Sequence, residues 1–336
     1  MTNPDAPLSL SVVLINYNLD RELPRTLFSL SAQYQRGVSA AEYEVLVVDN
    51  GSRQPFSPEA LPGYGANFRA LALEQPRPSP VFAINAGAAQ ARGRMIAVMI
   101  DGARMLSPGV IRLACDAAQI STRAIVAVPN WHLGPDVQHH SVLEGYDQQM
   151  EDRLLESVPW RTDDYELFRI ATLAPATQAG LFINPNESCF LGLSRELFME
   201  LGGYDEKFDL PGGGLVNRDT LRRALTAAET RFFLLFGEGN FHQFHGGIST
   251  GRGGSDLAEE LRSYREHYLR VRGFPSERIE RTPDLLGHVP RQLGPALGYS
   301  MNCHFPELAP QRPAWRRLAD RVEQTVRGLA PRGRKR

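Results

Sequence analysis

At 336 residues and 42% hydrophobic content, the chain is long enough for one large domain or two of ordinary size around a substantial core. A formal net charge of -1 excludes nucleic acid as the main partner, and no apolar stretch approaches the roughly 18 residues of a membrane span. Cys115, Cys189 and Cys303 have neither pairing number nor metal-site spacing, so reduced, buried thiols are expected.

Residues 1–7 lack the basic and apolar regions of a signal peptide, and a cytoplasmic location is expected. Residues 8–15 read as a strand that ends in Asn16, Tyr17 and Asn18, polar residues suited to a loop. An amphipathic helix follows over about 22–34, with Leu23, Leu27 and Leu30 on one face. Residues 44–48 form the next strand, closing in Asp49, Asn50, Gly51 and Ser52. Strand, helix, strand is the unit of a parallel sheet, and right-handed crossover puts both polar loops at one sheet edge. Residues 16–18 and 49–52 therefore line one crevice. A third strand spans 68–73, and Ser79 and Pro80 open a helix to Arg92. Its small residues, Gly87, Ala88, Ala89 and Ala91, let the backbone lie close to the sheet or to a ligand. The apolar run 95–100 fits a strand buried on both faces, and it delivers Asp101 to the carboxyl edge, where open α/β sheets bind ligands. An acid there is a candidate for a divalent metal or a substrate hydroxyl, although Asp also simply starts turns. A helix over 107–120 and a strand over 123–128 complete a nucleotide-binding type of α/β unit.

The order then becomes irregular. Residues 131–186 hold one expected helix, 141–157, in an insertion that either covers substrate or forms a plain surface excursion carrying His132, His139 and His140. A strand over 187–193 and a helix capped by Ser194 and stopped by Gly202 and Gly203 come next. A glycine-rich loop leads to Asp219, which opens a helix over 220–230, and a strand over 231–236 runs to His242 and His245. Three apart on an extended strand, these histidines point to opposite faces, so they are not read as a two-ligand pair. Residues 256–271 read as a charged helix. Residues 312–336 hold nine basic and two acidic residues, with Trp315, Leu318, Val322 and Val326 at helical spacing. Such a helix docks on an anionic membrane surface, on the protein's own body or against a second copy in a homodimer, and the sequence leaves the three open.

Taken in order, Asn16-Tyr-Asn18, the helix, Val47-Val-Asp-Asn-Gly-Ser52, Asn85-x-Gly87-x-x-x-Ala91-x-Gly93 and the strand into Asp101 resemble family 2 glycosyltransferases, over about residues 9–247. Leu201-Gly-Gly-Tyr-Asp-Glu206, a carboxylate near a helix start and a His after the last strand follow in that family's order. The resemblance implies an α/β protein with the GT-A fold, a Rossmann-like, mostly parallel sheet flanked by helices. It divides the chain into a GT-A domain over 8–250, with a nucleotide-sugar half at 8–130, an acceptor half at 131–250 and the insertion at 131–186. Residues 251–336 are then a helical, basic extension. The implied activity moves a sugar from a nucleoside-diphosphate sugar, a UDP-sugar, to a hydroxyl of a glycan or glycolipid, with inversion and with Mn²⁺ or Mg²⁺ bound.

The same resemblance implies roles. Asn16, Asn18 and Asp49 hold base and ribose, while Asn85 and Arg92 reach the nucleotide or diphosphate. Asp101 is the first acid of the family's Asp-x-Asp motif, whose second position here is Ala103. Asp101 and His245 bind metal, Asp205 and Glu206 face the acceptor, and His242 is an acceptor contact or structural. The general base is Asp219, with Glu187 in reserve, because Asn217 stands where the family has another acid. The two missing acids also fit a non-catalytic protein that binds nucleotide-sugar or glycan.

Overall fold

The computed structural model describes residues 8–163, 165–246 and 255–308. The strands in chain order are β1 (Leu10–Asn16), β2 (Tyr43–Asp49), β3 (Phe68–Ala72), β4 (Met95–Met99), β5 (Arg104–Leu106), β6 (Ala124–Ala127), β7 (Asn130–Leu133), β8 (Ala171–Leu173), β9 (Leu191–Ser194), β10 (Arg231–Phe236), β11 (Asn240–His242) and β12 (Asp284–Gly287). The helices are α1 (Leu23–Leu30), α2 (Val81–Gln90), α3 (Val110–Ile120), α4 (Gln138–Ser141), α5 (Gln148–Glu156), α6 (Arg195–Glu200), α7 (Val216–Thr226), α8 (Ser255–Arg272) and α9 (Gly294–His304).

Among the described residues an eight-stranded sheet has the order β12-β10-β6-β9-β4-β1-β2-β3. It is parallel except for β9, which runs against β4 and β6. The alternation of β1 explains why it must be central. Leu10, Val12 and Leu14 enter one apolar cluster with Leu23 and Leu27 of α1 and Ile111 of α3. Val13 and Ile15 enter a second with Ile84 of α2, Leu197 of α6, Leu221 of α7 and Tyr268 of α8. A strand apolar on both faces is stable only between two helical layers, and each buried Leu or Val contributes roughly 1.5–3 kcal/mol. The small residues of α2 do what the sequence suggests: a Cβ on Gly87 would lie 2.5 Å from Val13 Cγ1, so only Gly lets α2 approach β1 this closely.

β1 is followed on one side by β2 and β3, while β4 pairs on its other side. This reversal opens a crevice at the carboxyl ends of β1 and β4. Asn16 and Asp101 stand at its two lips.

A four-stranded sheet, β5-β11-β7-β8, lies beyond that edge among the described residues. Two of its strands, β7 and β8, come from the insertion, where Trp131, Leu167 and Phe168 are buried with Phe241 of β11 and Tyr34, while His140 is exposed at the surface. The helix expected over 141–157 is broken, because Gly145 takes φ 89° and Asp147 then caps α5, accepting from Met150 N at 2.7 Å. Similarly, α7 begins at Val216, so Asp219 lies in its first turn instead of opening it.

α8 buries Tyr268 completely in the second cluster, and β12 pairs in parallel with β10 at the end of the large sheet. No helix among the described residues is long and apolar enough to cross a membrane. Cys115 and Cys189 are buried as expected, whereas Cys303 is exposed. The basic helix expected over 312–336 lies outside the described residues.

Candidate active site

The two polar loops meet, as the crossover argument requires. Asn16 Nδ2 donates to Asp49 Oδ2 at 2.7 Å, and Asp49 Oδ1 accepts from the amides of Gly51 and Ser52 at 2.9 and 2.8 Å. Asn18, at φ 54°, accepts from Arg53 N at 2.8 Å, while its own amide donates to Ser52 Oγ. Asn tolerates this left-handed backbone better than most residues. The result is a rigid lip in which Asn16 Oδ1 is buried without a hydrogen-bond partner and the Tyr17 side chain stands in solvent.

Across the crevice Asp101 meets both histidines. His242 Nε2 lies 2.9 Å and His245 Nε2 3.5 Å from Asp101 Oδ2, and the two ring nitrogens are 3.1 Å apart. This corrects the expectation that the histidines diverge. β11 ends at His242, the period of two stops there, and the chain turns back so that Gln243 N reaches Ala103 O at 2.9 Å. The turn is pinned from three sides: Gln243 Nε2 donates to Glu22 O and Thr26 Oγ1, and Phe244 N donates to Glu151 Oε2 at 2.7 Å.

The insertion also sets the tautomer of His242. Gln138, fully buried, donates from Nε2 to His242 O at 2.9 Å, which leaves its Oε1 to accept from His242 Nδ1. Neutral His242 therefore presents the bare lone pair of Nε2 to Asp101 and His245. Burial and then the charge of Arg104 push His242 down to about 3, against the pull of Asp101. Burial works against a charge on His245 too, but Asp101 outweighs it and its pKa is raised. Burial likewise opposes the Asp101 charge, yet His245 and His242 hold it well below the usual range. An imidazole lone pair and a carboxylate oxygen 2.9 Å apart repel unless a shared proton or cation lies between them. One carboxylate and two imidazoles whose ligand atoms all lie within 4.8 Å of one another form a group able to hold a metal ion, and the donor set fits a divalent cation.

Several expected residues are elsewhere. Arg92 pairs with Glu44 at 2.7 Å, and Glu44 lies at the amino end of β2. The chain crosses back along α2, so a residue after that helix sits at the edge opposite Asp49 and Asp101. Asn85 donates to Tyr204 O at 2.8 Å and accepts from Tyr204 N at 3.0 Å, so both ends of its amide hold the glycine turn. Asp205 is 2.8 Å from Arg272, and Glu206 is exposed, 3.9 Å from Arg77. Asp219 is locked: Arg223 Nε donates at 2.8 Å, and Arg272 donates from Nε at 2.6 Å and Nη2 at 2.5 Å. Its side chain is 1% exposed and enclosed by those donors. Glu187 is different. Asn130 at the start of β7 donates to Glu187 O at 2.8 Å, its carboxylate is 30% exposed, and its nearest cation is Arg218 at 3.9 Å.

Gln138, Glu151 and Arg104 were missed by sequence reasoning. Gln138 and Glu151 carry no pattern at all. Arg104 carried a signal, a cation interrupting the apolar stretch Ala103 to Leu106.

Residues 11–131 match the family described as Glycosyl transferase family 2. No curated protein is similar to the chain in sequence. The fold aligns with the crystal structure of S. aureus TarS 1-349 in complex with UDP-GlcNAc at 15% identity and TM-score 0.49, over 89% of this chain and 73% of that one. It aligns with the mannosyltransferase PcManGT from Pyrobaculum calidifontis in complex with GDP-Man and Mn²⁺ at 15% identity and TM-score 0.48, over 96% of this chain and 82% of that one. Identity at this level carries neither donor nor acceptor across to this chain. The family match covers residues 11–131, the strands and loops that build the crevice, and over that stretch the chain is similar to glycosyl transferase family 2.

Proposed function

We propose that the chain moves a sugar from a UDP-sugar to a hydroxyl of a glycan or glycolipid, inverting the anomeric carbon in one displacement. The observation that carries this reading is the convergence of Asp101, His242 and His245 across the crevice from the Asn16–Asp49 lip. Asn16 Oδ1, unpartnered, suits the imide N–H of a base, Asp49 a ribose hydroxyl, and the exposed Tyr17 ring a base face. Asp101, His242 and His245 would hold a divalent metal, which supplies positive charge for the departing diphosphate. Two imidazoles favour Mn²⁺ over Mg²⁺ in such a set. Glu187, anchored by Asn130 and open to solvent, takes the proton of the acceptor hydroxyl in place of the locked Asp219. Acceptor docking on the membrane side through the basic residues 312–336 belongs to the same reading.

A thermal-shift and donor-hydrolysis panel of UDP-, GDP- and dTDP-sugars, with and without Mn²⁺, tests it. The expected result is a selective rise in Tm with UDP-sugar plus Mn²⁺, about 2.7 kcal/mol of added stability at a ligand concentration of about 100 Kd. Asp101→Asn and His245→Ala should lose the metal-dependent part and lower turnover by about 10²–10³-fold. Equal shifts with and without Mn²⁺ would remove the metal from the reading, and selective shifts with GDP-sugars would replace the donor.

A further inference from the structure

Beside the metal-type cluster stands a cation that none of those roles uses. Arg104 is the first residue of β5, opposite His242 in the antiparallel ladder, and is only 8% exposed. The turn that places it is fixed, because Thr26 Oγ1 donates to Gly102 O at 2.7 Å and Ala103 N donates to Asp101 Oδ1 at 3.0 Å. Its Nε lies 3.5 Å from Asp101 Oδ2 without making a hydrogen bond, and both Nε and Nη1 are buried with no hydrogen-bond partner among the described residues. A guanidinium cannot shed its charge as a buried Lys does, so burying it with unmet donors carries a penalty that an anion would relieve.

The neighbouring groups narrow the anion. Asp101 is the carboxylate within reach of Arg104, and it is shared with two histidines, so it cannot satisfy the planar fork. Phosphate oxygens match that fork two at a time. Asp101, His242 and Arg104 all stand at the carboxyl edge beside the nucleoside lip.

We propose that Arg104 donates to the diphosphate of the donor, so that part of the charge neutralisation is built into the chain and a diphosphate binds without added metal. The proposal rests on the transferase reading for the identity of the ligand, but its test does not need turnover. Ala103 in place of a second acid is then no defect: the adjacent cation takes over part of the work that a second carboxylate would do through the metal. The charge of Arg104 also favours neutral imidazoles beside it, the form a metal requires.

The test is calorimetric titration with inorganic pyrophosphate in excess EDTA. Wild type is expected to bind, and Arg104→Gln to bind about tenfold or more weakly, the loss expected for hydrogen bonds to a charged group. Arg104→Lys should fall between them, and Arg92→Gln, altered at the opposite edge, should bind as wild type does. A second readout guards against a purely structural role. If Arg104 waits for a ligand, Arg104→Met keeps or raises the Tm of the ligand-free protein; if it is a structural partner of Asp101, Tm falls. Absence of pyrophosphate binding by wild type in EDTA, unaltered binding by Arg104→Gln, or a lowered Tm for Arg104→Met would each overturn the proposal. Failure of the transferase reading shows separately, as absence of turnover of any sugar nucleotide while metal-free pyrophosphate binding persists.

Discussion

Asp101 and Asp219 are both half-buried or buried acids at the start of a turn or helix, and in the sequence they look alike. The structure separates them by what surrounds them. Asp219 is met by two guanidiniums, Arg223 from its own helix and Arg272 from α8, and Arg223 and Arg272 reach onward to Leu201 O, Gly203 O and Asp205. Every charge there has a partner, and the cluster ties α7, α8 and the glycine turn into one piece. Asp101 instead faces two imidazole nitrogens and an arginine that makes no hydrogen bond to it. A closed set of ion pairs holds a fold together. An open set, with acceptors facing acceptors and donors unmet, is what a fold keeps when a ligand is to complete it.

The largest effect that tests this difference concerns the general base. If Glu187 takes the acceptor proton, Glu187→Gln lowers kcat by about 10²–10⁴-fold with little change in the KM for donor. Asp219→Asn, by contrast, should leave kcat per folded molecule near wild type. Steady-state kinetics on both variants, normalised to folded protein by circular dichroism, decides it, and the reverse pattern would return the base to Asp219. The next effect is on stability. Removing the buried Asp219 charge leaves two half-buried guanidiniums short of an acceptor, so Asp219→Asn should cost about 3 kcal/mol in urea unfolding. Asp101→Asn should cost much less in metal-free buffer. Equal losses at the two sites would erase the distinction drawn between them.

What the sequence made legible was whatever is local or periodic. The strand into Asn16, the strand into Asp49 and the run into Asp101 announce themselves by composition, and the crossover rule alone put the first two loops side by side. Gly87 was readable because a helix against a sheet needs small residues. The places where the geometry differs from expectation share a cause. His242 and His245 were judged by a strand period that in fact ends at His242. Arg92 was placed at the ligand edge although a crossover helix carries its last residues to the other one. Asp219 was chosen by elimination, and its lock comes from Arg272, 53 residues away, which no local pattern reports. Gln138 and Glu151 act from an insertion whose buried second sheet had no clear period. Long-range polar pairing is the part of this site that sequence spacing does not encode.

A third buried acid sharpens the comparison by the smallest effect. Glu238 is 1% exposed and is neither locked by arginine nor turned toward the histidines. It accepts from Ser107 Oγ at 2.5 Å, Gly109 N at 3.1 Å and Tyr165 OH at 2.9 Å, with His288 3.9 Å away. Burial pushes it from 4.5 up to about 7 despite those donors. The native carboxyl thus keeps its proton across a range in which the unfolded one has lost it. Stability from this group is complete below about pH 4.5 and is lost as pH rises through about 7. Glu151, also raised to about 7 by burial, adds a slope of the same sign. Glu238→Gln keeps the shape without the charge. Against wild type it should gain roughly 2–3 kcal/mol between about pH 4 and pH 8, whatever slope the other groups give both proteins. Urea unfolding of both proteins at both pH values measures this, and a difference between them that does not change over that range would mean that Glu238 is ionised in the fold, making it a charged group like Asp219 in place of a neutral one held by burial.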